Sequence, residues 1–170
     1  DKLVRPITCY NSEIWGGVNN LHKSSDTDQF WTRLEKLPWE KFHIKFCKNI
    51  LGVKPKASNS GAMGELGRFP LFFYIIKSML RFYEHIKEVK KNRPLLEAAY
   101  QEDVTLEEGI SWTKTLKKLL KLFDVKFNDN NIKWTTDKVL SAMKSSYEDF
   151  WRRSLGPISD DSGKLYVYRR

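Results

Sequence analysis

The sequence predicts an all-α fold, a bundle of about six or seven helices with at most one short β-hairpin. Three observations carry this expectation. Apolar residues recur at helical spacing, as in Phe72, Ile75, Ile76, Met79, Phe82, Ile86 and Val89. Prolines and glycines stand where such stripes open and close. Strand-like patterns are confined to 124–134, around an Asn/Asp turn, and to a faint run at 165–168.

Taken in order, residues 2–14 read as a first helix, with Pro6 near its first turn. Residues 16–29 form a polar, glycine-initiated linker. Asp28 is the expected cap of a short helix whose Phe30, Trp31 and Leu34 face inward. Pro38 opens the next helix, 39–51, with Phe42, Phe46 and Ile50 as its apolar stripe and Lys41, Lys45 and Lys48 on another face. The longest element is expected at 70–91. Pro94 starts a helix ending near Tyr100 or Glu102, and Thr105 with Glu108 has the spacing of a capping box for a helix at 106–123. A last helix, capped by Thr135 or Thr136, runs to about Ser154 with Val139, Met143, Tyr147, Phe150 and Trp151 inward, and Gly156-Pro157 ends it. The expected organisation is therefore 1–15 as a helix end, 16–29 as linker, 30–155 as the helical domain and 156–170 as a tail.

With 170 residues, 41% of them hydrophobic, the chain is long enough for a core without disulfide staples. Cys9 and Cys47 are too few for a disulfide framework, which points to a reducing, intracellular setting. No secretory leader opens the sequence, and no apolar run approaches the ~18 residues of a membrane span, so no membrane partner is expected. Asp1 and Arg169-Arg170 read as the cut ends of a longer chain.

The net charge of +9 favours a polyanionic partner. Its distribution is uneven. From 41 to 56 there are five lysines (Lys41, Lys45, Lys48, Lys54, Lys56) and no acid, whereas 94–113 holds five acids and no Lys or Arg. Arg68, Lys77 and Arg81 extend the basic side. Clustered cations of this kind neutralise phosphates, whereas lysines opposite an apolar stripe, such as Lys114 to Lys121, ordinarily form a solvated face.

Catalytic constellations are wanting. The only Asp-Asp pair, Asp160-Asp161, sits in a turn-rich tail with no strand partner, which disfavours a two-metal site. His43 and Cys47 stand at i, i+4 on one helix, but no second pair completes a zinc site, so no metal and no cofactor are expected. No nucleophile elbow occurs. Gly61, Gly64 and Gly67 match neither a dinucleotide fingerprint nor a Walker loop. Their expected role is backbone: Gly67 as a left-handed helix stop, Pro70 as a helix start, and Glu65 and Arg68 bracing the turn by ion pairing. No catalytic residue and no small-molecule substrate are expected.

Three strings nevertheless resemble a known pattern. Pro6, Ile7, Tyr10, Glu13, Trp15 and Gly16 come first. His43, Lys45, Phe46, Cys47, Lys48, Ile50, Leu51 and Val53 follow, and then Gly64, Glu65, Leu66, Gly67, Arg68, Pro70 and Leu71. Together they resemble the region just downstream of the polymerase domain in LINE-type (non-LTR) retrotransposon reverse transcriptases. The resemblance covers residues 4–85 and weakens beyond. The stretch 20–37 is extra and 95–135 matches loosely, as in a decayed or repurposed copy.

The resemblance implies that 1–15 is similar to the end of a thumb helix and 38–155 to the helical segment after it. The polymerase carboxylates would lie upstream, and nothing assigned to the family's cysteine-containing tail carries over. It implies a non-catalytic, nucleic-acid-binding domain of a polyprotein that positions RNA or DNA. The expected contacts are Lys41, Lys45, Lys48, Lys54, Lys56, Arg68, Lys77 and Arg81, and the motif Gly64, Glu65, Gly67, Arg68, Pro70 is structural. Partners would be RNA and/or DNA and the upstream reverse-transcriptase domain, within a nuclear or cytoplasmic ribonucleoprotein. The rival from another class is a protein-interaction or scaffold module, domesticated and without a nucleic-acid role.

Overall fold

A computed structural model describes residues 6, 8–16, 20–106, 111–127 and 131–154. Among these it shows an all-α bundle: α1 (Ser12–Trp15), α2 (Thr27–Leu34), α3 (Pro38–Ile50), α4 (Asn59–Glu65), α5 (Phe72–Val89), α6 (Pro94–Thr105), α7 (Trp112–Leu122) and α8 (Ile132–Ser154). Short 3-10 turns occupy Leu21–Lys23 and Lys90–Asn92. No strand occurs among the described residues, so the hairpin expected at 124–134 is absent there; residues 132–134 are already in α8, and 165–168 lie outside the described residues.

Helix α5 is the axis of the bundle. Phe72, Ile75, Ile76, Met79, Leu80 and Tyr83 recur at i, i+3, i+4 and are all buried, so burying that stripe dominates the element's stability. Tyr83 replaces the expected Phe82 on the buried face, and Phe82 packs half-buried against Trp112 with ring centroids 5.7 Å apart. Around α5 stand Leu116, Leu119, Leu120 and Phe123 of the α7 region and Val139, Met143 and Tyr147 of α8. Phe30 and Trp31 of α2 fill the centre as an aromatic node. Phe30 meets Trp31, Phe72 and Phe123 edge-on at 4.9, 5.2 and 5.1 Å, a geometry that pairs ring edge with ring face.

Tryptophans tie remote segments into this core. Trp31 Nε1 donates to Ser146 Oγ at 3.0 Å, Trp112 Nε1 to the Glu13 carbonyl at 2.9 Å, and Trp151 Nε1 to the Ser60 carbonyl at 2.7 Å. Helix α1 lies so close to α5 that a Cβ on Gly16 would stand 2.4 Å from Ile75 Cγ2. Asn11, in the left-handed region at φ 51°, interrupts the backbone before α1, so the helix expected over 2–14 does not run through. Nor is 16–29 merely a linker: Leu21, 2% exposed, belongs to the main core.

Helix ends explain the remaining differences. The α2 cap is Asp26, which accepts from Gln29 N at 2.8 Å, while Asp28 stands in the first turn and pairs with Arg153. Thr105 is not a cap. It is the last residue of α6 and bonds back to the Gln101 carbonyl at 2.8 Å. Ser111 caps α7, helped by Asp103, whose two oxygens accept from Trp112 N and Thr113 N at 2.7 and 2.9 Å; Glu108 lies outside the described residues. Thr135 and Thr136 are buried inside α8 and bond back to Asn131 and Ile132 carbonyls, and Asn131 Oδ1 takes Trp134 N at 2.9 Å. The end expected at Gly156-Pro157 lies outside the described residues.

Candidate nucleic-acid interface

Helix α3 opens at Pro38, whose missing N–H is no loss at a first-turn position. It closes where Gly52 takes φ 65° and Val53 N bonds to the Lys48 carbonyl at 3.1 Å. Its buried face is unexpected. Glu40, His43, Ile44, Cys47 and Lys48 point inward, whereas Phe42 is 51% and Ile50 57% exposed and Phe46 is half-buried. The stripe expected to be core is thus the outer face.

The three polar side chains that α3 turns inward, Glu40, His43 and Lys48, each have a partner. Glu40 Oε1 stands 3.0 Å from His43 Nδ1, and Glu40 Oε2 accepts from Leu71 N at 3.0 Å, which ties α3 to the start of α5. Burial opposes a charged imidazole, but hydrogen bonds to Cys47 and Glu40, with the Glu40 charge, push His43 up to about 9. Burial raises Glu40 as well. Both shifts favour keeping a proton on the pair. Lys48 is the third inward polar residue, 8% exposed, and its Nζ donates to the Pro55 carbonyl at 2.8 Å. It braces the loop after α3 and is poorly placed to meet phosphate.

Beside this face the expected cations separate into two clefts. The first, about 490 Å³, lies between α2, α3 and α4 and is lined by Lys36, Lys41, Lys45, Lys48 and Glu35, among others. The second, also about 490 Å³, has His43 on its wall and gathers Arg68, Lys77 and Lys144. Lys41 and Lys45 are exposed on α3, Lys54 and Lys56 on the loop that follows, and Arg81 on α5 one turn beyond Lys77. Lys36 and Lys144 were not expected. Both enter the clefts only because α2 and α8 pack where they do.

The glycine motif is structural in detail. Gly67, at φ 59°, closes α4: Arg68 N bonds to the Met63 carbonyl at 2.8 Å and Gly67 N to the Gly64 carbonyl at 2.9 Å. These backbone bonds close the turn, and Glu65 is exposed. Pro70 is buried ahead of α5, which begins at Phe72. Gly64 serves packing instead, since a Cβ there would stand 2.6 Å from the Trp151 ring. Sequence reasoning missed the Glu40–His43 pair, although its i, i+3 spacing on one helix was a signal.

Among the described residues no group of three or more His, Cys, Asp and Glu is placed to hold a metal ion. Asp160-Asp161 lies outside them. No helix among them is long and apolar enough to cross a membrane. Comparison with models of known families, with curated proteins and with solved structures gives no match for this chain.

Proposed function

We propose that this domain binds nucleic acid without catalysing a reaction on it, with α3 and the loop after it as the first contact. One observation carries the reading. The outer face of α3 sets exposed Phe42, half-buried Phe46 and exposed Ile50 beside exposed Lys41 and Lys45. A cationic row that tracks a backbone next to apolar rings on which bases stack is how single strands are held without sequence readout. The net charge of +9 agrees in sign, and the resemblance to the post-polymerase region of LINE-type reverse transcriptases supplies the setting: a ribonucleoprotein in which this segment positions RNA or DNA.

Fluorescence anisotropy with a labelled single strand, a hairpin RNA and a DNA duplex tests it at ~50 and ~200 mM salt. About four neutralised phosphates cost roughly a hundredfold in affinity across that interval, and Lys41→Glu with Lys45→Glu abolishes binding at the higher salt. Lys48 is left intact, because its loss would loosen the 52–57 loop. No binding at the lower salt would end this reading.

A separate observation favours the protein-interaction reading. Helix α6 contributes no buried residue, Leu95 is 88% exposed, and a cleft of about 380 Å³ lies between Phe82, Ile86, Leu96, Tyr100 and Trp112. On that reading a protein partner covers the cleft with no nucleic-acid role, and Leu96→Asp weakens the association without changing its modest salt dependence.

A further inference from the structure

The cleft beside His43 is built differently from the α3 surface. Three cations converge on it from three parts of the chain: Arg68 after α4, Lys77 from α5 and Lys144 from α8. No carboxylate is among the residues that line it. Glu148, one turn along α8, stands 3.9 Å from Lys144 at the edge. Lys77 is half-buried and makes no ion pair among the described residues. Arg68 and Lys144 are exposed and Lys77 is half-buried, so an anion entering the cleft meets cations on three sides.

The rest of the wall is mixed: Phe69, Phe73 and Tyr74 stand with Leu71, Leu140, Ser141 and Gly67. Phe69 and Tyr74 line the cleft, and the Lys144 ammonium lies 5.6 Å from the Phe69 ring centre, over its face. Phe69 is already packed on Phe73 and Tyr147, at 5.2 and 5.9 Å, whereas Tyr74 is 38% exposed, so a flat ring entering the cleft gains contact chiefly on Tyr74 and the edge of Phe69. The volume, about 490 Å³, falls within the range of ~300–1,000 Å³ common for small-ligand sites. His43 lines the cleft, and Glu40, 3.0 Å from its Nδ1, is not among the lining residues.

We propose that this cleft takes one unstacked nucleotide of a bound strand, its phosphate held between Arg68, Lys77 and Lys144 and its base laid against Tyr74 and the edge of Phe69. This deepens the nucleic-acid reading and rests on it. The α3 face would hold the strand without regard to position, whereas the cleft fixes one nucleotide and so sets the register of the strand on the domain.

Isothermal titration of the whole chain with AMP, UMP, adenosine and inorganic phosphate tests the proposal alongside single-strand anisotropy. The expected result is that both monophosphates bind more tightly than phosphate or adenosine. Lys77→Ala and Lys144→Ala should each weaken monophosphate binding about tenfold, the value of one charge-assisted hydrogen bond. Lys41→Glu with Lys45→Glu should leave monophosphate binding unchanged while the strand is lost. Thermal melts of each variant exclude unfolding as the cause; Lys144 is exposed, so its variant remains informative if Lys77→Ala melts early. Strand binding with no monophosphate binding, or monophosphates held no better than phosphate, overturns the cleft proposal and leaves the α3 reading standing. Absence of both overturns the two together.

Discussion

Helices α5 and α3 meet at the Glu40–Leu71 hydrogen bond, yet they bury different kinds of residue. Along α5, apolar side chains at i, i+3, i+4 enter a continuous core with Phe30, Trp31 and Val139. Along α3, Glu40, His43 and Lys48 go inward with Ile44 and Cys47, and only Ile44, Cys47 and Met63 make up the small second cluster. The outer face of α3 keeps the phenylalanines. A helix selected for stability alone would be turned the other way, since an exposed apolar stripe and buried charges each oppose folding. That inversion leaves Phe42 and Ile50 on a solvent face that also carries Lys41 and Lys45, the face on which the proposed function rests.

The contrast breaks most sharply where the two helices join. Phe72→Ala in α5 should cost about 3–5 kcal/mol through the cavity it leaves. Glu40→Ala in α3 should cost about 2–4 kcal/mol, because it leaves the buried His43 ring and the Leu71 N–H without their partner. Urea denaturation of both variants measures this; a Glu40→Ala loss below about 1 kcal/mol would show that the pair contributes little.

The pair also sets a pH dependence. His43 titrates near 9 in the fold against 6.5 when unfolded, so its stabilisation is complete below about pH 6.5 and is lost as pH rises through 9. The raised Glu40 acts in the same sense, favouring lower pH. Melting temperature should therefore fall over that window, and His43→Gln should flatten the slope there.

Smaller effects test the backbone devices around α4. Gly64→Ala forces a methyl against the Trp151 ring and should cost about 1–3 kcal/mol. Gly67→Ala meets nothing within 4 Å but stands at φ 59°, and should cost about 1–2 kcal/mol from the left-handed backbone alone. Smallest of all in stability are Phe42→Ala and Ile50→Ala, expected within about 0.5 kcal/mol in urea denaturation. If these two instead destabilise like Phe72→Ala, the outer face of α3 is packed and the comparison fails.

The elements that could be read directly are those whose signals are local. The α5 stripe, the Pro38 and Pro94 starts and the Gly67 stop follow from residue chemistry within a turn or two. The orientation of α3 does not. Its stripe of Phe42, Phe46 and Ile50 is as helical in spacing as the buried one, and what reverses the choice is a pair of distant backbone groups, Leu71 N and the Pro55 carbonyl, waiting for Glu40 and Lys48. The Thr105–Glu108 spacing misled for a related reason: Asp103 reaches across the following loop to cap α7, a partner that no short motif announces. Of the candidate site, Lys41, Lys45, Arg68 and Lys77 were visible as charges, but their division between two clefts, and the arrival of Lys36 and Lys144, depend on tertiary packing.

The indole bonds of Trp31, Trp112 and Trp151 join residues 115, 99 and 91 positions apart. Helices form within microseconds, but these closures await large loops and therefore come late. Intrinsic fluorescence in a stopped-flow refolding experiment thus reports the assembly of the bundle rather than the winding of its helices. Circular dichroism at the peptide bands should run ahead of the indole signal, and the gap between the two traces times the docking of α2 and α4 against α8 and of α1 against α7.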